Sequence, residues 1–176
     1  MMPPMSDLPE TSEELLARLG ASRAALAETI RGIPRAALVE RRDDAGWTAI
    51  DHLAHIAAWE RMIVAHLTDG SDHEIAGVDA EAYPRMSLQA INDALHERSR
   101  GRSAGEILAE FVGAHADIIA LLEALPPEVY ASPYWHDDPA QRSVMAKVAG
   151  DTYLHYAEHG EWIAALHAGA DATGSR

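Results

Sequence analysis

Residues 151–163 read "DTYLHYAEHGEWI" and set two histidines, His155 and His159, four positions apart. On a helix that spacing puts both side chains on one face, about 40° apart, with Cβ atoms about 5–6 Å from each other. The face they share runs Val144, Val148, Asp151, His155, His159, Trp162, Leu166, an apolar seam that turns polar in its middle. Lys147, Glu158 and Glu161 fall to one side of it, so the pattern expects the two imidazoles to border the interior. Two rings at this separation reach a single metal ion, and a third ligand is then expected from a facing helix.

The rest of the chain is patterned for such helices. Residues 11–34 open on a capping box, Thr11 to Glu14, carry Leu15, Leu16, Leu19, Leu26 and Ile30 on one broad face, and stop at Gly32-Ile33-Pro34. A second helix starts at Thr48, with Asp51 three residues on, and ends at Asp69-Gly70. A third is split at Gly101, its second part opening on a capping box from Ser103 to Glu106, and a fourth runs from about 143 to 167. No run has the alternation of a strand. The expected fold is all-α, a four-helix bundle in a single domain spanning 1–176. The connections 70–86 and 126–142 are long enough to cross the bundle or cover one mouth. The tails, about 1–10 and 168–176, are expected to fray.

The second helix offers the third ligand. Taking His55 as origin, Glu60 and Arg61 lie about 140° and −120° away, while Thr48, Trp59 and Met62 share its face, so His55 is expected to point inward. His52, about 60° off, is a weaker candidate, and His66 is about three turns along the axis, too far to join the same ion. His52, His66, His73, His96, His115, His136 and His167 are otherwise expected at the surface or in caps, and Trp59, Trp162, Met62 and Phe111 in the core. Three neutral imidazoles leave open coordination positions, the pattern of a catalytic site, and suit Zn²⁺ or Ni²⁺. Asp151 and Thr152 are placed to orient a ligand ring or a water, and Tyr83, Tyr134 and Trp135 to wall a substrate. Glu158 is a candidate general base, set against the plainer reading of an exposed helical glutamate. "HYAEH" also fits H-x-x-E-H, a protease pattern needing an acidic ligand well downstream, whereas 17 residues follow His159.

Composition narrows the classes. With no cysteine, a thiolate nucleophile, a zinc finger, an iron–sulfur cluster and a disulfide framework are excluded. The formal charge of −14, without a basic block, argues against nucleic acid as a partner. The opening "MMPPMSDLPE" has neither a basic region nor an apolar run, and no stretch approaches the ~20 apolar residues of a membrane span, so no membrane association and a cytoplasmic address are expected.

"WTAIDHLAHIAAWE", residues 47–60, resembles the second-helix motif of the DinB/YfiT-like superfamily of metal-binding four-helix bundles, a Trp followed eight residues later by a ligand histidine, here His55. "HYAEH" is similar to the paired fourth-helix ligands of that superfamily, which map onto His155 and His159. Residues 91–128, with "SPYWHD" at 132–137, resemble the ClbS/DfsB branch. This chain keeps all three histidines, as a metal-competent form of the branch would. The resemblance implies a metal-dependent enzyme, a hydrolase or a thiol-dependent transferase, acting on a small and electrophilic or toxic molecule, with a low-molecular-weight thiol as one partner and pairing as a homodimer. The other class is a non-catalytic bundle that binds or sequesters a metal or a small molecule.

Overall fold

The computed structural model describes residues 8–135 and 140–168. His136 and most of both expected tails lie outside the described residues. Four long helical segments form the bundle: α1 (Ser12–Arg31), α3 (Ala49–Leu67), α6 (Ala104–Ala124), and a fourth built of α8 (Val144–Ala149), a π turn (Gly150–Leu154) and α9 (His155–Ala168). Short helices α2 (Ala37–Glu40), α4 (Asp72–Ala76), α5 (Leu88–Ser99) and α7 (Pro127–Ala131) sit in the connections. Among the described residues there is no strand, and no helix is long and apolar enough to cross a membrane.

The helix starts follow their caps. Thr48 and Asp51 form a reciprocal box at α3, with Thr48 N to Asp51 Oδ2 at 2.8 Å and Asp51 N to Thr48 Oγ1 at 3.3 Å. Ser103 and Glu106 do the same at α6. At α1 only half of the expected box forms. Thr11 Oγ1 accepts the Glu14 amide, but the Glu14 carboxylate takes the amide of Glu10 instead. The expected split third helix is two helices, because Gly101 adopts φ 79° and turns the chain between α5 and α6.

α3 is the centre of the bundle. It packs along α6 and touches α9, the π turn and α5, while α1 lies against α9 and the π turn. The core joins Leu15, Leu19 and Leu26 of α1 to Leu53, Ile56 and Ile63 of α3, Ile107, Ile118 and Leu122 of α6, and Val148, Tyr156 and Ile163 of the fourth segment. In the connection 70–86, α4 and the 3₁₀ turn Tyr83–Arg85 form a smaller cluster with Met62, Ala76, Leu95 and Trp59. The base of the connection 126–142 is pinned by an isolated bridge, Pro133 to Ser143, and by Tyr134 N donating to Arg142 O at 2.8 Å.

Two features depart from the helical-wheel reading. Glu60, expected on the charged outer side of the second helix, is fully buried. Its carboxylate accepts the Tyr156 hydroxyl and lies 3.1 Å from His115 Nδ1 and 3.9 Å from Arg23, so α1, α3, α6 and α9 each supply one member of this polar cluster. The fourth segment is not one regular α-helix. In an α-helix the eight residues from Lys147 to His155 would leave the two about 80° apart; a π turn takes up one extra residue, so eight residues close about two turns and the two side chains fall in line. Lys147, expected on the charged flank, is only 8% exposed, in a helix whose residues are all buried.

Candidate metal centre

His55 comes from the middle of α3, and His155 and His159 from the first turns of α9, immediately after the π turn. Each offers one ring nitrogen, and the three nitrogens lie within 4.8 Å of one another. Ring centroids stand 5.0 Å apart for His55–His155 and for His55–His159, and 4.4 Å for His155–His159. Small side-chain rotations close such a set onto one ion at about 2.0–2.1 Å from each nitrogen. His55 and His159 are buried and His155 partly so.

The residues present fit a metal ion by two observations. The buried Nδ1 of His55 has no hydrogen-bond partner in the protein, an expensive state for a polar atom unless something else binds at the site. The rings are also held in the uncharged, ligating form. Burial pushes His155 down to about 4, helped by the Lys147 ammonium and opposed by the Asp151 backbone. Burial and then the neighbouring imidazoles hold His55 and His159 well below the usual histidine range.

Aromatic rings enclose the three. Trp47 meets His55 edge-on at 5.1 Å, Trp59 lies 6.1 Å from the same ring, and Trp162 packs 4.7 Å from His159. Trp162 is therefore a cover over the site, 44% exposed, and not the core residue expected. Behind His159 stands His52, 2% exposed, with its Nδ1 2.9 Å from His159 Nδ1. His52 Nε2 in turn is 3.2 Å from Asp43 Oδ2. His52 is thus a buried neighbour of the site and not a surface residue. His66, His96 and His115 are also engaged: His66 stacks on Tyr134, His96 on Trp47, and His115 faces Glu60.

On the other flank Lys147 pairs with Asp151 and points its ammonium at Trp59, Trp135 and Tyr134, 4.7, 5.1 and 5.8 Å from their ring centres. Trp59 is a neighbour of both this cation and the His55 ring. The Thr152 hydroxyl donates to Val148 O at 2.6 Å and the Asp151 carboxylate holds Lys147, while the Asp151 backbone bears on the His155 ring. Glu158 is exposed on α9, and Tyr83 belongs to the second cluster. Asp43 and Lys147 escaped the sequence reading, and His52 entered it only as a weaker candidate. Asp43 lies in a loop with no periodicity to place it, and His52 could be found only through its 60° offset from His55.

Beyond Trp47 and His96 opens a cleft of about 460 Å³ whose walls include Arg42, Thr48, Asp51, His96, Arg100 and Arg102.

The molecule is thus a helical bundle with three histidines converging between its second and fourth segments. The chain belongs to the DinB superfamily, whose family model matches residues 18–163. It is similar in fold to an uncharacterised protein from Escherichia coli UTI89, with 14% identity over 96% of this chain and 98% of that one and a TM-score of 0.70. It is also similar to the colibactin self-resistance protein ClbS, solved in complex with double-stranded DNA, with 13% identity, 90% and 96% coverage and a TM-score of 0.67. A Streptococcus pneumoniae protein matches with 16% identity, 93% and 91% coverage and a TM-score of 0.70. Among curated proteins none matches. The ClbS complex corrects the expectation that nucleic acid has no part here. That expectation rested on the net charge and on the lack of a basic block along the chain, whereas a phosphate backbone meets a local patch that residues far apart in sequence can form.

Proposed function

We propose that this protein is a metal-dependent enzyme, a hydrolase or transferase acting on a small electrophilic molecule, with His55, His155 and His159 holding a Zn²⁺ or Ni²⁺ ion. The observation that carries the reading is the convergence of three uncharged imidazole nitrogens from two helices, with a buried nitrogen of His55 that nothing in the protein satisfies. When bound, such an ion supplies Lewis acidity toward a carbonyl, a thiol or water. The chain's own contribution is to hold the rings neutral, to exclude bulk water with Trp47, Trp59 and Trp162, and to keep one cation, Lys147, beside the site. Protein purified without a histidine tag should carry about one Zn²⁺ or Ni²⁺ per chain, and the loaded form should turn over members of a panel of activated esters, lactones and epoxides, offered with and without a small thiol. Metal without turnover, or one equivalent of substrate bound and held, would favour the sequestering bundle.

A second reading concerns duplex DNA. The cleft beside Trp47 gathers Arg42, Arg100 and Arg102 on a strongly acidic molecule, and ClbS, of the same fold, takes double-stranded DNA. The arginines also have acidic neighbours, Glu97 at 2.8 Å from Arg100 and Asp51 at 4.0 Å from Arg42, so binding through this cleft should be weak and steeply salt-dependent. Fluorescence anisotropy of a labelled duplex at two salt concentrations, with wild type and Arg42→Ala, tests it. Equal signals from both proteins would remove the cleft from consideration.

A further inference from the structure

We propose that Asp43, acting through His52, fixes the tautomer of His159 and so determines which nitrogen that residue presents at the candidate centre. The chain of contacts starts in the loop before α3. Asp43 Oδ1 accepts the backbone amides of Ala45 at 2.9 Å and Trp47 at 2.8 Å, while the Asp43 amide donates to Trp47 O at 2.9 Å. One carboxylate oxygen is thereby committed to the turn and the other, Oδ2, is aimed at His52 Nε2, 3.2 Å away. The approach is too bent for a formed hydrogen bond, and His52 Nε2 has no hydrogen-bond partner in the protein. Even so, a carboxylate has only lone pairs to offer, so a lone pair on Nε2 would face negative charge at that distance, and the proton belongs on Nε2.

The consequence passes inward in one step. An uncharged His52 protonated at Nε2 has a bare Nδ1, which can only accept. Facing it at 2.9 Å in a buried contact is Nδ1 of His159, which must therefore carry the proton and donate. An uncharged His159 protonated at Nδ1 keeps its lone pair at Nε2. One acidic side chain in a loop thus sets two histidines in sequence. A ligand histidine is commonly oriented by a carboxylate directly; here an imidazole is interposed between them.

The test is Asp43→Asn. The asparagine carbonyl can keep both backbone amides, so the turn is preserved, and the amide NH₂ then faces His52 and donates where the carboxylate accepted. Every tautomer in the chain inverts, and His159 is left with its proton on Nε2. Nitrogen-15 NMR of the imidazoles in metal-free protein near pH 7.5 should find His159 protonated at Nδ1 in wild type and at Nε2 in Asp43→Asn. Zn²⁺ affinity measured by dye competition should fall about 10–100-fold in the variant. His52→Ala, which breaks the chain without inverting it, should also lose the Nδ1 preference of His159. The proposal rests on the metal-centre reading only for its affinity arm. Wild type with the expected tautomer but no Zn²⁺ binding would refute that reading and leave the tautomer chain standing. A wild-type His159 protonated at Nε2, or a tautomer unchanged in both variants, would overturn the proposal itself.

Discussion

The three histidines differ in what they contribute to the metal-free protein. The buried Nδ1 of His55 has no partner, the His155 ring lies against the Asp151 backbone, and His159 is joined to His52. Removing an unsatisfied polar group is close to neutral for the polar terms, and removing one member of a buried pair strands the other at about 1–3 kcal/mol. His55→Ala should therefore lower apo-state stability only through lost packing, and His159→Ala should cost about 1–3 kcal/mol more, because His52 Nδ1 is left without a partner. Urea unfolding of the metal-stripped proteins measures the difference; two equal losses would contradict it. The placement of these three rings on inward seams was legible from spacing alone. The role of His52 was not, since its partners Asp43 and His159 lie in a loop and on a distant helix, and a helical wheel carries no information about either.

At the scale of the element, the fourth segment separates what sequence can and cannot convey. Its start at Ser143 and its continuation beyond residue 159 followed from the cap and the apolar period, just as the boxes at Thr48 and Ser103 announced α3 and α6. The π turn has no compositional signature, and it shifts every side chain upstream of it relative to those downstream. It puts Lys147 in line with His155, and Lys147, in a helix buried on every face, pairs with Asp151 among three aromatic rings. The burial of Glu60 escaped for a related reason: its compensation comes from Arg23 and Tyr156, far away in the chain. Lys147→Met should leave Asp151 without its cation. The expected cost is about 1–3 kcal/mol, below the 3–5 kcal/mol of a wholly buried pair, because the Asp151 side chain remains 21% exposed. Asp151→Asn added to Lys147→Met should recover part of it, and a double variant no more stable than the single one would argue against the pairing.

For the whole molecule, the buried imidazoles couple stability to pH. In the unfolded chain these histidines titrate near 6.5, whereas in the fold His155 is pushed down to about 4 and His55 and His159 are lowered by burial and by their neighbours. Between those values the unfolded state binds more protons than the native one, so the stability of the metal-free protein is complete above about pH 6.5 and declines as the pH falls toward 4. Thermal melts of metal-free protein across that window should follow this slope, and the slope should flatten when His155 and His159 are both replaced. Added Zn²⁺ should raise the melting temperature near neutral pH and much less below about 5.5, where protons compete for the same lone pairs.

The claim on which the rest depends is that His55, His155 and His159 hold one ion together. X-ray absorption at the zinc edge, on protein loaded with one equivalent of Zn²⁺, tests it most directly. The expected result is three imidazole nitrogens at about 2.0–2.1 Å, falling to two in His55→Ala. A spectrum with fewer than three imidazoles in wild type, or one that does not change in His55→Ala, would contradict it.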